Sequence, residues 1–223
     1  MKKYVLFDLD GTLTDSREGI LNSIEYMLEY YGIHVEDQEQ LVPWLGPPLK
    51  DSLMKYYGFS QEKALEGVEK YREYFDRQGI FENRVYPGIE EMLGRLRNMG
   101  CHLMVATSKP EVAARRVLEH FRLDSYFDYI GGATLDDSRV NKADVIRYVL
   151  DTKGITYGKE TVMVGDREHD VRGARENGLQ VIGALYGYGS REELEEAGAD
   201  WIAKTVEEIP GYVRGESPMD EGC

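Results

Sequence analysis

The stretch Tyr4-Val5-Leu6-Phe7-Asp8-Leu9-Asp10-Gly11-Thr12-Leu13-Thr14 decides how the rest of the chain is read. Val5, Leu6 and Phe7 are a short apolar run of strand formers, and Gly11 stops it. Side chains alternate faces along a strand, so Asp8 and Asp10, two apart, project the same way. Two carboxylates meeting at a strand end repel each other unless a cation sits between them or one holds a proton. A polar strand exit with Asp at a turn accounts for one aspartate more readily than for two followed by Gly-Thr.

Downstream of this stretch, Asp15 or Ser16 is suited to cap a helix that carries Ile20, Ile24, Met27, Leu28 and Tyr31 at helical spacing and closes at Gly32. Ile33 to Trp44 reads as a connection. Leu45-Gly46-Pro47-Pro48-Leu49 ends regular structure and starts another helix, with a proline in its first turn. Ser60 caps a further helix through Leu65, Val68, Tyr71 and Phe75 to about Gly79. Residues 16–84 thus read as helical, without a convincing strand.

From Pro87 the rhythm changes. Helices are expected over Gly88–Asn98, Pro110–Phe121, Asn141–Lys153, Glu168–Asn177 and Ser190–Ala197. Strands are expected over His102–Ala106, Tyr126–Ile130, Thr161–Val164, Gln180–Leu185 and Trp201–Ala203, and at most one turn over Val206–Ile209. Strands alternating with helices predict an α/β fold: a Rossmann-like, doubly wound parallel sheet covered on both faces. The predicted organisation is a core of residues 1–15 and 85–213, an inserted all-helical block of residues 16–84, and a polar, disordered tail over 214–223.

The chain has 223 residues, 41 Asp and Glu against 27 Lys and Arg, and a formal charge of −14. Nucleic acid and anionic membranes attract basic faces, so neither polymer nor membrane is an expected partner. Any phosphate site would need local positive charge from a metal, a lysine or helix N-termini. Two cysteines, Cys101 and Cys223, make no disulfide framework and no C-x-x-C pair. No segment reaches the roughly 18 apolar residues of a membrane span, so a cytoplasmic protein is the expectation.

Ligands of open parallel sheets gather beyond the carboxyl ends of the strands. Three polar clusters fall there: Thr107-Ser108-Lys109 after the strand ending at Ala106, Asn141-Lys142 at a helix start, and Gly165-Asp166 with Asp170 four residues on. Taken singly each has an ordinary explanation, as a cap, a solvated lysine or an acid favoured by the helix dipole. Their order along one chain is what singles them out.

In that order, Asp8-Leu9-Asp10-Gly11-Thr12-Leu13, Thr107, Lys142 and Gly165-Asp166 with Asp170 resemble the four motifs of the haloacid dehalogenase superfamily of phosphohydrolases. The helical block matches the position of that family's helical cap. Gly46-Pro47-Pro48-Leu49, Thr107-Ser108-Lys109-Pro110 and Gly165-Asp166-Arg167-Glu168-His169-Asp170 look like the subgroup of phosphoglycolate phosphatases and 5′-nucleotidases.

The resemblance implies a magnesium-dependent phosphatase acting on a small phosphorylated metabolite, phosphoglycolate or a nucleoside monophosphate, through an aspartyl phosphate. Asp8 is then the nucleophile and Asp10 the general acid and base. Thr107, the Ser108 amide and Lys142 hold the phosphoryl oxygens, and Gly11 lets the chain turn beside them. Mg²⁺ is expected on Asp8, the carbonyl of Asp10 and Asp166, with waters completing an octahedron. Asp170 stands behind them, holding a metal-bound water or orienting Lys142.

Lys109 is read as a solvated helix start in preference to a substrate contact. Gly46 and Pro47 start either an ordinary helix or one whose N-terminus binds the substrate anion. His169 points away from the metal, and the tyrosines of the helical block are packing. No protein partner is expected. The alternatives are a phosphosugar mutase, which uses the same aspartate pair, and a non-catalytic phosphate- or partner-binding module. A 2-haloacid dehalogenase has no need of Asp10 and Asp166, and a phosphonate hydrolase would call for a Schiff-base lysine, for which Lys50 and Lys55 are candidates by location alone.

Overall fold

A computed structural model describes residues 1–135, 138–156 and 158–216. The chain forms two compact units, one of Met1–Thr14 with the chain from Val85 onward, the other of Asp15–Arg84.

The first unit is built on six parallel strands: β1 (Tyr4–Phe7), β4 (His102–Pro110), β5 (Tyr129–Ala133), β6 (Thr161–Gly165), β7 (Gln180–Ala184) and β8 (Trp201–Ala203), in the order β5-β4-β1-β6-β7-β8. The chain runs outward from β1 through β4 to β5, then returns to the other side of β1 and runs outward again through β6, β7 and β8. The order therefore reverses across β1, which places the ligand crevice of such a sheet at the carboxyl end of β1. Val5, Leu6 and Phe7 are all fully buried, as a strand covered on both faces requires.

Alternation divides the strand residues between two layers. Leu6, Met104, Met163 and Val181 share a core with Val145, Ile146, Val149 and Leu150 of α6 (Lys142–Lys153) and Val171 and Ala174 of α7 (Glu168–Glu176). The remaining helices of this unit are α4 (Ile89–Asn98), α5 (Glu111–His120), α8 (Arg191–Ala197) and α9 (Ile209–Arg214). Apolar residues at helical spacing define the buried stripe of α4, whose Ile89, Met92, Leu93 and Leu96 are buried and whose Glu90, Glu91, Arg95 and Arg97 complement the helix dipole.

The second unit holds α1 (Arg17–Tyr30), α2 (Leu49–Tyr57) and α3 (Gln61–Tyr74). Asp15 Oδ1 accepts from Arg17 N at the start of α1, while Ser16, the N-cap by position, makes no side-chain cap bond. Ser60 caps α3 through Lys63 N. Two two-residue strands, β2 (Thr14–Asp15) and β3 (Arg84–Val85), pair with each other. Among the described residues no helix is long and apolar enough to cross a membrane.

Several boundaries differ from the sequence reading. Residues 38–44, expected in a connection, form a 3-10 helix capped by Asp37 with Leu41 and Trp44 buried; its period of three hides it from a search at 3.6. Arg84, placed in the helical block, is a strand residue. The strand expected over Tyr126–Ile130 lies at Tyr129–Ala133, and Asp124–Tyr126 is a 3-10 turn. The strand runs on through Gly131, where α6 packs so close that a Cβ would stand 2.4 Å from Val149 Cγ2. The single turn expected near Val206 is followed by α9, whose Tyr212 and Val213 are buried, so Arg214 belongs to a helix and not to a tail. Gly215 and Glu216 close that helix, and residues 217–223 of the expected tail lie outside the described residues.

Candidate active site

The strand-end aspartates, Thr107 and Lys142 lie in the α/β unit. The ladders end at the pairs Phe7–Val105 and Phe7–Val164, and the Asp8 amide donates to the Val164 carbonyl at 2.9 Å, carrying β1 one step further. In that register Asp8, at the tip of β1, stands level with Ala106 of β4 and Gly165, the last residue of β6. Thr107 and Asp166 follow one step on, from the two flanking strands. Helix α6 starts at Lys142, and its buried ammonium reaches back over the sheet to the Ala106 carbonyl at 3.2 Å.

Lys142 Nζ lies 2.8 Å from Asp8 Oδ1 and 2.8 Å from Asp170 Oδ1. Asp170 sits in the first turn of α7 and its other oxygen accepts from the amides of Asp166 and Arg167, each at 3.1 Å. Asp166, fully buried, accepts from Thr12 Oγ1 at 3.1 Å on one oxygen and from Tyr188 N at 2.9 Å on the other. One oxygen from each of Asp8, Asp166 and Asp170 lies within 4.8 Å of the others.

Two buried carboxylates therefore share one ammonium, and a third, Asp166, stands within 4.8 Å of both. Burial pushes the Asp8 carboxyl up to about 6 against the pull of Lys142, and Asp170 and Asp10 add to the rise. Burial also lifts Asp166 well above the carboxylate range, helped by Asp170 and Asp8. Burial alone would lower the Lys142 ammonium, but Asp170 and Asp8 outweigh it and hold it above the usual lysine range. This is a site short of positive charge. Its donors are all oxygen and stand close enough to share one ion, which suits a hard divalent cation.

Asp10 lies apart from the three. Both of its oxygens face Lys109 Nζ, at 3.1 and 2.9 Å, and the Lys109 side chain is only 6% exposed. Lys109 is thus not a solvated helix start. β4 runs on to Pro110, so Lys109 is the penultimate residue of a strand and lies alongside the exit of β1. Thr107 is buried and its Oγ1 accepts from Lys109 N at 3.2 Å, while Ser108 is partly exposed in the same strand. Gly11 turns with φ +81°, and a Cβ there would stand 2.2 Å from Asp166 Oδ2. His169 is exposed.

The α/β unit thus assembles Asp8, Asp10, Gly11, Thr107, Ser108, Lys142, Asp166 and Asp170 at one end of its sheet. Gly46 and Pro47 lie in the other unit, in the turn that enters α2, whose N-cap is Pro48. Sequence reasoning left out Lys109 as a partner of Asp10, Thr12 as a donor to Asp166, and the loop Tyr186-Gly187-Tyr188-Gly189. The signal for that loop was available: alternating tyrosine and glycine directly after an apolar strand, at the end of the sheet where ligands gather.

The haloacid dehalogenase-like hydrolase family matches residues 5–184. A 5′-nucleotidase of Pseudomonas aeruginosa is 47% identical over 190 residues, 85% of this chain and 86% of that protein. A tyrosine-protein kinase of Mycobacterium tuberculosis is 37% identical over 207 residues, 92% of this chain and 70% of that one. The crystal structure of a predicted phosphatase from Clostridium acetobutylicum superposes with a TM-score of 0.93 at 49% identity, covering 96% of this chain and 99% of the other. The matched span contains the strand-end aspartates, Thr107 and Lys142, so family likeness and geometry fall on the same end of the sheet. The chain belongs to the haloacid dehalogenase-like hydrolases, as a phosphatase that acts on phosphoric monoesters.

Proposed function

We propose that the protein hydrolyses a small phosphomonoester, a nucleoside monophosphate or phosphoglycolate, by way of a phosphoryl group carried on Asp8. One observation carries this reading: Lys142 bridges Asp8 and Asp170 at 2.8 Å each while Asp166 stands within 4.8 Å, all at the tip of the central strand. The first relative named above, a 5′-nucleotidase, favours the nucleotide among these substrates.

Asp8 attacks phosphorus through a carboxylate oxygen, and the bond from phosphorus to the ester oxygen breaks. Asp10, which faces Lys109 in the resting site, enters the step as the protonated acid and gives that proton to the departing oxygen. It then takes a proton from the water that attacks the phosphorylated Asp8, and phosphate leaves with the Asp8 carboxylate restored. Thr107, the Ser108 amide and Lys142 steady the phosphoryl oxygens as charge spreads over them. Asp170 keeps Lys142 in place from behind.

A magnesium ion held by Asp8, Asp166 and the Asp10 carbonyl would supply the positive charge that lets an anionic nucleophile meet an anionic ester. The net charge of −14 disfavours a nucleic-acid polymer as substrate.

A second reading, transfer of the phosphoryl group from Asp8 to a hydroxyl acceptor in place of water, is favoured by the relative named as a tyrosine-protein kinase. Hydrolysis of p-nitrophenyl phosphate with and without magnesium tests the chemistry common to both readings. Turnover is expected only with the metal and is abolished in Asp8→Asn; equal turnover of parent and variant refutes the assignment. A panel of phosphomonoesters, scored by kcat/KM and by whether phosphate or a phosphorylated acceptor appears, then separates the substrates and the two readings.

A further inference from the structure

The loop after β7, Leu185-Tyr186-Gly187-Tyr188-Gly189, makes no strand or helix, yet it closes around a single side chain. The Tyr188 amide donates to Asp166 Oδ2 at 2.9 Å. A Cβ on Gly187 would stand 2.4 Å from Asp166 Cβ and 2.3 Å from the Gly11 carbonyl, so the loop backbone lies directly on the aspartate. The other oxygen of Asp166 accepts from Thr12 Oγ1 at 3.1 Å. Tyr186 links these two donors, because its hydroxyl donates to the Thr12 carbonyl at 3.0 Å and its backbone leads in two residues to Tyr188. The ring of Tyr186 is itself braced edge-on by Tyr86, with centroids 5.3 Å apart.

Asp166, Thr12, Tyr186 and Tyr188 thus form a closed circuit that ties the turn after β1 to the loops after β6 and β7. A carboxylate can swing about its χ angles, and a metal ligand is effective only when that swing is arrested. We infer that Tyr186 is a positioning residue for Asp166, its hydroxyl holding Thr12 and the Tyr188 amide where together they fix the carboxylate for a divalent cation. The inference rests on the reading of Asp166 as a metal ligand given above. It concerns the aim of that ligand, not the transfer of protons.

The test is titration with Mn²⁺, followed by electron paramagnetic resonance of the free ion, of the whole protein and four variants. Parent protein is expected to bind the ion and Asp166→Asn to lose it. Tyr186→Phe, which keeps the ring and its packing on Tyr86, is expected to raise the dissociation constant about 10-fold, the lower end of what loss of an outer partner costs a metal site. Thr12→Val, which removes one donor to Asp166 outright, should produce a shift at least as large. Tyr86→Leu strips packing but leaves the hydroxyl bond; it should lower the thermal midpoint and leave Mn²⁺ affinity unchanged. With metal at saturation, the KM for substrate of Tyr186→Phe should match the parent.

Mn²⁺ affinity in Tyr186→Phe equal to that of the parent overturns the inference. So does an equal loss of affinity in Tyr86→Leu, since packing alone would then explain the effect. A parent that binds no ion, or Asp166→Asn that binds as tightly, overturns the underlying metal-ligand reading and the inference with it, and is distinguished from the first failure by the titrations of the parent and Asp166→Asn.

Discussion

At the amino ends of the strands Asp128 lies between Arg97 and His102, 2.7 Å from each, and Glu160 lies 2.8 Å from Lys3. At the carboxyl ends of the same sheet Asp8 and Asp170 share Lys142, Asp166 stands beside them, and Asp8 and Asp166 are raised above the carboxylate range. At Asp128 the balance is reversed: burial pushes the carboxyl up, but Arg97 and His102 outweigh it and the net shift is downward. One end of the sheet thus matches its charges in partly exposed pairs, while the other buries an excess of one sign. Such an excess is costly to hold unless something positive completes it, and sites that bind or react are where folds accept that cost.

The sharpest way to break this contrast is to remove the ammonium of Lys142. Lys142→Met leaves Asp8 and Asp170 buried without their partner, and loss of one member of a buried ion pair costs about 3–5 kcal/mol. Urea unfolding of the metal-free variant should show that loss, and turnover of p-nitrophenyl phosphate should disappear. A variant as stable as the parent would mean that the cluster is already neutralised in some other way.

The amino end supplies the small effect. Exposed pairs are worth at most about 1 kcal/mol, so Asp128→Asn should change stability by no more than that and leave kcat and KM alone. The two ends should also answer pH in opposite senses. Asp128, lowered in the folded protein, adds stability above its unfolded value near pH 4 that is lost as pH falls. Asp8, raised to about 6, favours the folded state below about pH 4, and that contribution is lost as pH rises through 6. Metal-free protein should therefore weaken between about pH 4 and pH 6, and saturating magnesium should abolish the decline. Asp128→Asn should alter only the acid limb. A metal-free parent whose urea midpoint rises steadily over that interval would contradict the carboxyl-end account.

Much of this was legible in the chain because the chemistry sits at strand ends. Val5 to Phe7 and Val162 to Val164 are apolar runs that stop at acids, so a reader of strands meets Asp8 and Asp166 at once. Lys142 shows as the first residue of a helix whose Val145, Ile146, Val149 and Leu150 fix its phase. What escaped was set by tertiary placement. The sequence does not say that β4 continues past Thr107, and so it hides Lys109 against Asp10. Tyr186 and Tyr188 act through a hydroxyl on a carbonyl and through a main-chain amide, contacts that no residue type announces. β5 lies three residues beyond the expected strand, through Gly131, which the close passage of α6 demands, and Gly132, which lies on the backbone of Lys109 and Glu111.

The account stands or falls on whether the excess charge at the carboxyl end is there to hold an ion. Calorimetric titration of magnesium into the metal-free protein at neutral pH tests that directly. The expected result is one ion per chain, with binding lost in Asp166→Asn and retained in Asp128→Asn. No binding by the parent, or equal binding by Asp166→Asn, would contradict it.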